Sequence, residues 1–215
     1  MTNHTPLICQ AVFFDFDGVI ADSTSVKVQA FATLFADYGL EVQEAVIRYH
    51  LKNGGMPRHE KIRHCFTSFA KRSLSEEELS LAGATFSSLV MEEVVAAPLI
   101  PGALDTLQQL QLDKIAAFVV SGTPADEMRL IVLRKGLVDY FREVHGSPQT
   151  KPMIVKDILD RYGFAPQNCL FIGDALADYR AAMMTGLRFL GIVPAGVPSI
   201  FPNDVKTSPI VALVA

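Results

Sequence analysis

The run Ala11-Val12-Phe13-Phe14 breaks abruptly into Asp15-Phe16-Asp17-Gly18, and no other junction constrains the chain as much. Apolar β-formers without polar alternation read as a strand buried on both faces, the habit of a parallel sheet covered by helices. Two carboxylates and a glycine at its carboxyl end place acids where open α/β sheets bind ligands. Carboxylates that close repel each other unless a cation or a shared proton intervenes, and oxygen ligands on a tight turn suit a hard ion such as Mg2+. The tetrapeptide alone also fits a plain acidic loop in which Asp17 caps a helix.

Three later sites favour chemistry. Ile115-Ala116-Ala117-Phe118-Val119-Val120 is a second buried-strand run ending in Ser121-Gly122-Thr123-Pro124, where Thr123 is expected to cap a helix with Pro124 at its first position. A hydroxyl and free backbone N–H groups at a helix start suit a phosphate. Glu143-Val144-His145-Gly146 leads through Ser147-Pro148-Gln149-Thr150 to Lys151-Pro152, which sets an ammonium at the mouth of the next helix. Cys169-Leu170-Phe171-Ile172-Gly173 ends in Asp174, with Asp178 four residues on, a spacing that brings both acids to one helical face or its lead-in.

Asp-x-Asp-Gly, a strand-end Ser, Lys-Pro at a helix start and Gly-Asp-x-x-x-Asp, in that order from about residue 11 to 191, closely resemble the haloacid dehalogenase superfamily, in its phosphoglycolate phosphatase and β-phosphoglucomutase-like branch. The fold implied is α/β: a Rossmann-like parallel-sheet core, residues 1–22 and 96–215, with an inserted helical cap, residues 23–95. The alternation of strand-like segments near 11–15, 115–120, 143–146, 169–173 and 187–193 with helical patterns near 102–112, 124–135, 152–162 and 176–185 independently predicts such a sheet. The roughly hundred residues between the first two strands exceed what one crossover helix requires. Within them, Phe31, Leu34, Phe35 and Tyr38 before Gly39, and Ile62, Cys65, Phe66 and Phe69, have helical spacing. Ser75-Glu76-Glu77-Glu78 is a capping box opening a helix that carries Leu79, Ala82, Phe86 and Leu89, and Met91 to Pro101 reads as the return linker.

The resemblance implies an Mg2+-dependent phosphatase of a small phosphorylated metabolite. Asp15 is then the nucleophile, forming an aspartyl-phosphate, and Asp17 the general acid and base, a role that requires surroundings in which it holds a proton near neutral pH. Ser121 and Lys151 hold the phosphoryl oxygens, with Gly122 and Thr123 beside them. Asp15, the Asp17 carbonyl and Asp174 hold the metal, and Asp178 either supports it or is an exposed helix acid. Ala175 stands where a small hydroxyl residue is usual after Gly-Asp. The second acid, Asp17, favours phosphoryl transfer from oxygen over dehalogenation or phosphonate cleavage.

Asn53-Gly54-Gly55-Met56-Pro57-Arg58-His59-Glu60-Lys61 resembles the specificity loop of such caps, and Gly55, Arg58 and Lys61 are the expected substrate contacts, with a bendable loop offering a guanidinium to the non-reacting end. Lys27 occupies the place, ten residues past Asp17, where the mutases carry a histidine, and Pro57 replaces a serine; both departures favour a phosphatase over a phosphomutase. A catalytically silent phosphometabolite-binding regulator is the remaining alternative, and intact Asp15, Asp17, Lys151 and Asp174 speak against it. His50, His59 and His64 are read as polar cap surface rather than a metal site, with contact to substrate open to His59 alone because it sits inside the glycine loop.

The net charge of −4 gives no general attraction to nucleic acid or anionic lipid, so an anionic substrate must be drawn by a local cluster, for which Lys52, Arg58, Lys61 and Arg63 are candidates. Cys9, Cys65 and Cys169, far apart and without ligand spacing, read as reduced core thiols of a cytoplasmic protein. Met1 to Pro6 lacks the features of a secretion signal, and the longest apolar runs are strand-sized. The expected partner is thus one small phosphorylated metabolite, with no nucleic acid and no membrane, for a monomer or weak homodimer. Pro209 to Val214 is read as a further edge strand.

Overall fold

The computed structural model describes residues 9–213, so the segment Met1–Pro6 and Val214 lie outside the described residues. Six strands form one parallel sheet: β1 (Ala11–Phe14), β2 (Ala116–Pro124), β3 (Glu143–Ser147), β4 (Cys169–Gly173), β5 (Arg188–Ile192) and β6 (Thr207–Ser208), in the order β3-β2-β1-β4-β5-β6. Strand order reverses at β1, which sits between β2 and β4 and pairs Phe13 with both Phe118 and Phe171. The crevice beyond its carboxyl end is therefore the topological switch point of the sheet.

Both faces of β1 are dry, as its uninterrupted apolar run requires. Val12 and Phe14, with Ala117 and Val119 of β2, face one core and Ala11 and Phe13, with Phe118 and Val120, the other. Helices α5 (Ala103–Leu112) and α6 (Ala125–Arg134) cover the first face through Leu107, Leu110, Met128 and Ile131. Helices α7 (Lys151–Tyr162) and α8 (Leu176–Thr185) cover the second through Ile154, Ile158 and Ala181.

Between β1 and α5 the chain builds α1 (Thr24–Leu34), α2 (Leu40–Lys52), α3 (Arg58–Ser68) and α4 (Glu76–Ala96), whose packing joins Phe31, Phe35, Val46, Phe66 and Phe86 to the core that α5 and α6 cover. The Ser75–Glu78 capping box opens α4 as the sequence predicts, with both reciprocal hydrogen bonds formed. Two connections tie these helices to the sheet and pair with each other: Asp22 N–H donates to the Pro98 carbonyl at 2.9 Å and Ile100 N–H to the Ile20 carbonyl at 3.0 Å.

Several expectations change. The first helical pattern, expected to reach 38, stops at Leu34 and closes in a short turn, Ala36–Tyr38; α2 after Gly39 has no counterpart in the sequence reading, because Val46 is its one buried side chain. The return linker starts only at Ala97, since α4 runs through Ala96. That helix is also long and apolar enough to cross a membrane, unlike the strand-sized runs expected, but Leu79, Phe86, Val90 and Val94 are packed inside the protein. The last edge strand is Thr207–Ser208; the residues after it fold back over α5, where Val211 N–H meets the Pro101 carbonyl at 3.0 Å.

Candidate active site

Asp15, one residue beyond β1, is held by the sheet itself: its N–H donates to the Ile172 carbonyl at 3.0 Å and its Oδ1 accepts the Phe16 N–H at 2.7 Å. Lys151, the first residue of α7, puts Nζ 2.9 Å from Asp15 Oδ2 and 2.5 Å from Asp178 Oδ1. Asp178 spends its other oxygen on the Ala175 N–H at 3.0 Å, fixing the start of α8. It is fully buried, so the alternative of an exposed helix acid is overturned. Carboxylate oxygens of Asp15, Asp174 and Asp178 lie within 4.8 Å of one another. A Cβ on Gly18, which has φ +77°, would stand 2.2 Å from Asp174 Oδ2, so only glycine there admits this approach.

The Asp17 carboxylate accepts the Ser23 hydroxyl at 2.7 Å and the Lys27 ammonium, which also donates to Thr123 Oγ1 at 2.7 Å. Thr123 therefore caps no helix: Pro124 is the capping position of α6, β2 runs up to it, and the hydroxyl faces the Asp17–Lys27 pair. Ser121 Oγ accepts the Thr123 N–H at 3.1 Å, which leaves its own O–H to donate.

The helices above complete a cleft of about 80 Å³, lined on the sheet side by Asp15, Asp17, Ser121, Gly122, Thr123 and Asp174 and on the helical side by Lys27, Phe31, His50, Gly55, Arg58, Lys61 and Phe86. The loop before α3 docks directly on β2: a Cβ on Gly122 would come within 2.8 Å of the Gly55 carbonyl and 2.9 Å of that of Met56. Gly122 serves this close approach, and Gly55, at φ +72°, turns the loop in a conformation that favours glycine. Arg58 is not a free guanidinium; it forms a bidentate pair with Glu127 of α6, at 2.6 and 2.5 Å, while Ser87 of α4 shares the Glu127 carboxylate at 2.5 Å. The expected basic cluster divides. Arg58 and Lys61 lie on the buried face of α3, whereas Arg63 is exposed and pairs with Glu76 at 2.9 Å, and Lys52 is exposed.

Of the three histidines, His59 and His64 are exposed on the helical insertion as expected, and His50 is not cap surface. His50 lines the cleft, its Nδ1 3.2 Å from Lys61 Nζ and its ring 4.7 Å from that of Phe31. His59 instead packs against Gly83, and His64 stacks on Tyr49 at 4.1 Å. Glu127 carried no sequence signal, and Lys27 was visible only as a departure from the mutase pattern.

Charge is uneven across the cleft. Burial, then the charges of Asp15 and Asp178, push the Asp174 carboxyl well above its usual range, and it has no hydrogen bond or ion pair among the described residues. Burial and the Asp15 charge raise Asp178 as well, against the pull of Lys151. Three clustered carboxylates facing one ammonium, one of them without a partner, fit a divalent cation with oxygen ligands. Burial would raise Asp17, but Lys27 and Ser23 outweigh it and hold the carboxyl below its ordinary value. The surroundings expected of a general acid, able to keep a proton on Asp17 near neutrality, are thus absent in this arrangement. The opposite wall is basic: burial and then Lys61 and Lys27 keep His50 neutral, at about 3, and burial with Lys27 draws Lys61 down to about 7.

A parallel sheet with acids at its switch point, an aspartate beyond β1, a lysine after β3 and a second aspartate beyond β4 define a class of hydrolase, and residues 9–183 match the haloacid dehalogenase-like hydrolases. The chain belongs to that family. It is 27% identical over 183 residues to phosphoglycolate phosphatase 1 of Pseudomonas aeruginosa, a match covering 82% of this chain and 66% of that protein's length. It is 30% identical over 195 residues to validoxylamine A 7'-phosphate phosphatase of Streptomyces hygroscopicus, covering 85% of each chain. Its fold is similar to that of β-phosphoglucomutase from Clostridium difficile, with TM-score 0.71, 22% identity, and 86% and 85% of the two chains covered.

Proposed function

We propose that the protein is an Mg2+-dependent phosphatase of a small phosphorylated metabolite, acting through an aspartyl-phosphate on Asp15. Family membership and the phosphatase relatives make it a phosphoric monoester hydrolase; the metal, the intermediate, the residue roles and the substrate size are our reading. The observation that carries it is the Asp15 carboxylate, fixed at the switch point with Lys151 2.9 Å from one oxygen and Asp174, without a partner among the described residues, beside it.

A phosphate ester resists attack because the nucleophile meets spread negative charge, so the site must supply cations, aligned donors and an in-line carboxylate. Lys151, the Ser121 hydroxyl and backbone N–H groups near Gly122 and Thr123 bind the phosphoryl oxygens; Asp15 attacks phosphorus. Mg2+ held by Asp15, Asp174 and the Asp17 carbonyl would offset charge on the phosphoryl group, with Asp178 keeping Lys151 and the start of α8 in place. Asp17 and Lys27 together hold the proton that the leaving oxygen takes and that is regained from the water attacking the phospho-enzyme. The helical insertion, residues 23–95, acts as a cap excluding water. Burial of Cys65 and Cys169 as free thiols accords with a cytoplasmic location.

The phosphoglycolate and sugar-phosphate classes both suit a cleft walled by the sheet edge on one side and the helical insertion on the other. Lys27 in salt-bridge contact with Asp17, where the mutases carry a histidine, favours hydrolysis over phosphoryl shuttling. The test is inorganic phosphate release from phosphoglycolate, sugar phosphates, nucleotides and pyridoxal phosphate, with Mg2+ and with chelator. Metal-dependent release with one preferred class supports the reading; no release from folded protein refutes it and directs attention to a mutase assay with a bisphosphate activator.

A further inference from the structure

Four cations project into or border the cleft, and three of them have carboxylates: Lys27 has Asp17, Arg58 has Glu127, and Lys151 has Asp15 and Asp178. Lys61 has none among the described residues, although it is only 4% exposed. Its Nζ lies 3.2 Å from His50 Nδ1 and 5.8 Å from the centre of the Phe31 ring. A buried ammonium without a counter-charge disfavours the folded state, and such violations belong to sites that a ligand completes. We propose that Lys61 and His50 form an anion subsite, which takes a carboxylate or second phosphate at the end of the substrate remote from the scissile phosphorus.

The inference rests on the phosphatase reading for its orientation and on Lys61 for its chemistry. Neutral His50 accepts the Lys61 proton at Nδ1, so its own proton sits on Nε2, a second donor beside the ammonium. Lys61 lines the same cleft as Asp15 and Gly55, and a Cβ on Gly55 would stand 3.3 Å from Lys151 Nζ, so one cleft runs from Lys61 to the lysine proposed to hold phosphate. Phe31, Phe86 and Met56 also line the cleft, and their apolar surface lowers the local dielectric, so a charge-assisted contact there is stronger than at an open surface. Arg58, the loop's expected substrate contact, is neutralised by Glu127, which leaves recognition of a remote anion to Lys61.

The experiment uses two matched pairs differing only at the remote end: phosphoglycolate against ethyl phosphate, and propane-1,3-diol bisphosphate against propyl phosphate. Turnover of p-nitrophenyl phosphate tests the phosphatase reading separately. The subsite is expected to favour the charged member of at least one pair by about 10- to 100-fold in kcat/KM, and which pair responds identifies carboxylate or phosphate. Lys61→Met and Lys61→Gln are each expected to bring that ratio within about threefold of one, chiefly through KM. If nothing is turned over, titration calorimetry of the same compounds reads the same ratio in Kd. A ratio near one for both pairs in the unaltered protein overturns the subsite, as does a ratio that neither substitution changes.

Discussion

Lys61 should destabilise the protein that carries it, in a way that depends on pH. Burial first, and the Lys27 charge second, draw its ammonium from 10.5 to about 7. That fall corresponds to on the order of 5 kcal/mol. Between these two values the unfolded chain binds more protons at this residue than the folded chain does, so stability rises with pH across the window. The penalty is complete below pH 7 and gone above 10.5. The groups that set it are His50 on α2, Lys27 on α1, Lys151 on α7, Asp15 beyond β1 and Cys65 on α3. Methionine matches the lysine stem and brings no charge, so Lys61→Met is expected to be more stable than the parent at pH 7 by about 2–5 kcal/mol, with most of that gap closed by about pH 10. Urea unfolding of both chains across this range, with unchanged slope, reads the difference. A variant less stable than its parent at pH 7, or a gap that does not move with pH, refutes the argument that Lys61 is an uncompensated buried cation.

Other perturbations have definite outcomes. Lys27→Met removes the cation that holds Asp17 ionised, so the acidic limb of the pH–rate profile moves to higher pH and kcat falls at least about tenfold. Gly122→Ala drives a methyl group against the Gly55 and Met56 carbonyls, and is expected to raise KM and lower stability by about 1–3 kcal/mol, read by steady-state kinetics and melting. Glu127→Gln leaves Arg58 buried without its counter-charge and should destabilise by about 3 kcal/mol in denaturant titration.

What the sequence made legible follows the strength of local physics. Dry parallel strands such as Ala11–Phe14 are unmistakable because both faces are buried; Asp15, Lys151 and Asp174 stand out because each follows such a strand or opens the helix after it, and Ser121 because it breaks the apolar run of β2. Asp178 was ambiguous because a helical acid looks the same in sequence whether it faces solvent or Lys151. The helical side was less legible. Helix α2 buries only Val46, so its amphipathic pattern does not tell which side chains reach the cleft, and the position of His50 stayed hidden. The Arg58–Glu127 pair joins residues 69 apart and obeys no local spacing, so the guanidinium read as a free substrate contact was in fact neutralised. The proton affinity of Asp17 likewise depended on Lys27, whose placement is a matter of how α1 leaves the sheet.

The central claim is that Asp15 carries the phosphoryl group. Protein quenched with acid during turnover in Mg2+, then reduced with borohydride and mapped by peptide mass spectrometry, measures this directly, because an acyl phosphate is reduced to an alcohol whereas a free carboxylate is not. Homoserine is expected at position 15 in the turning-over sample and aspartate there in the chelator control. Turnover with position 15 unmodified, or with the reduced residue at position 17, would contradict it.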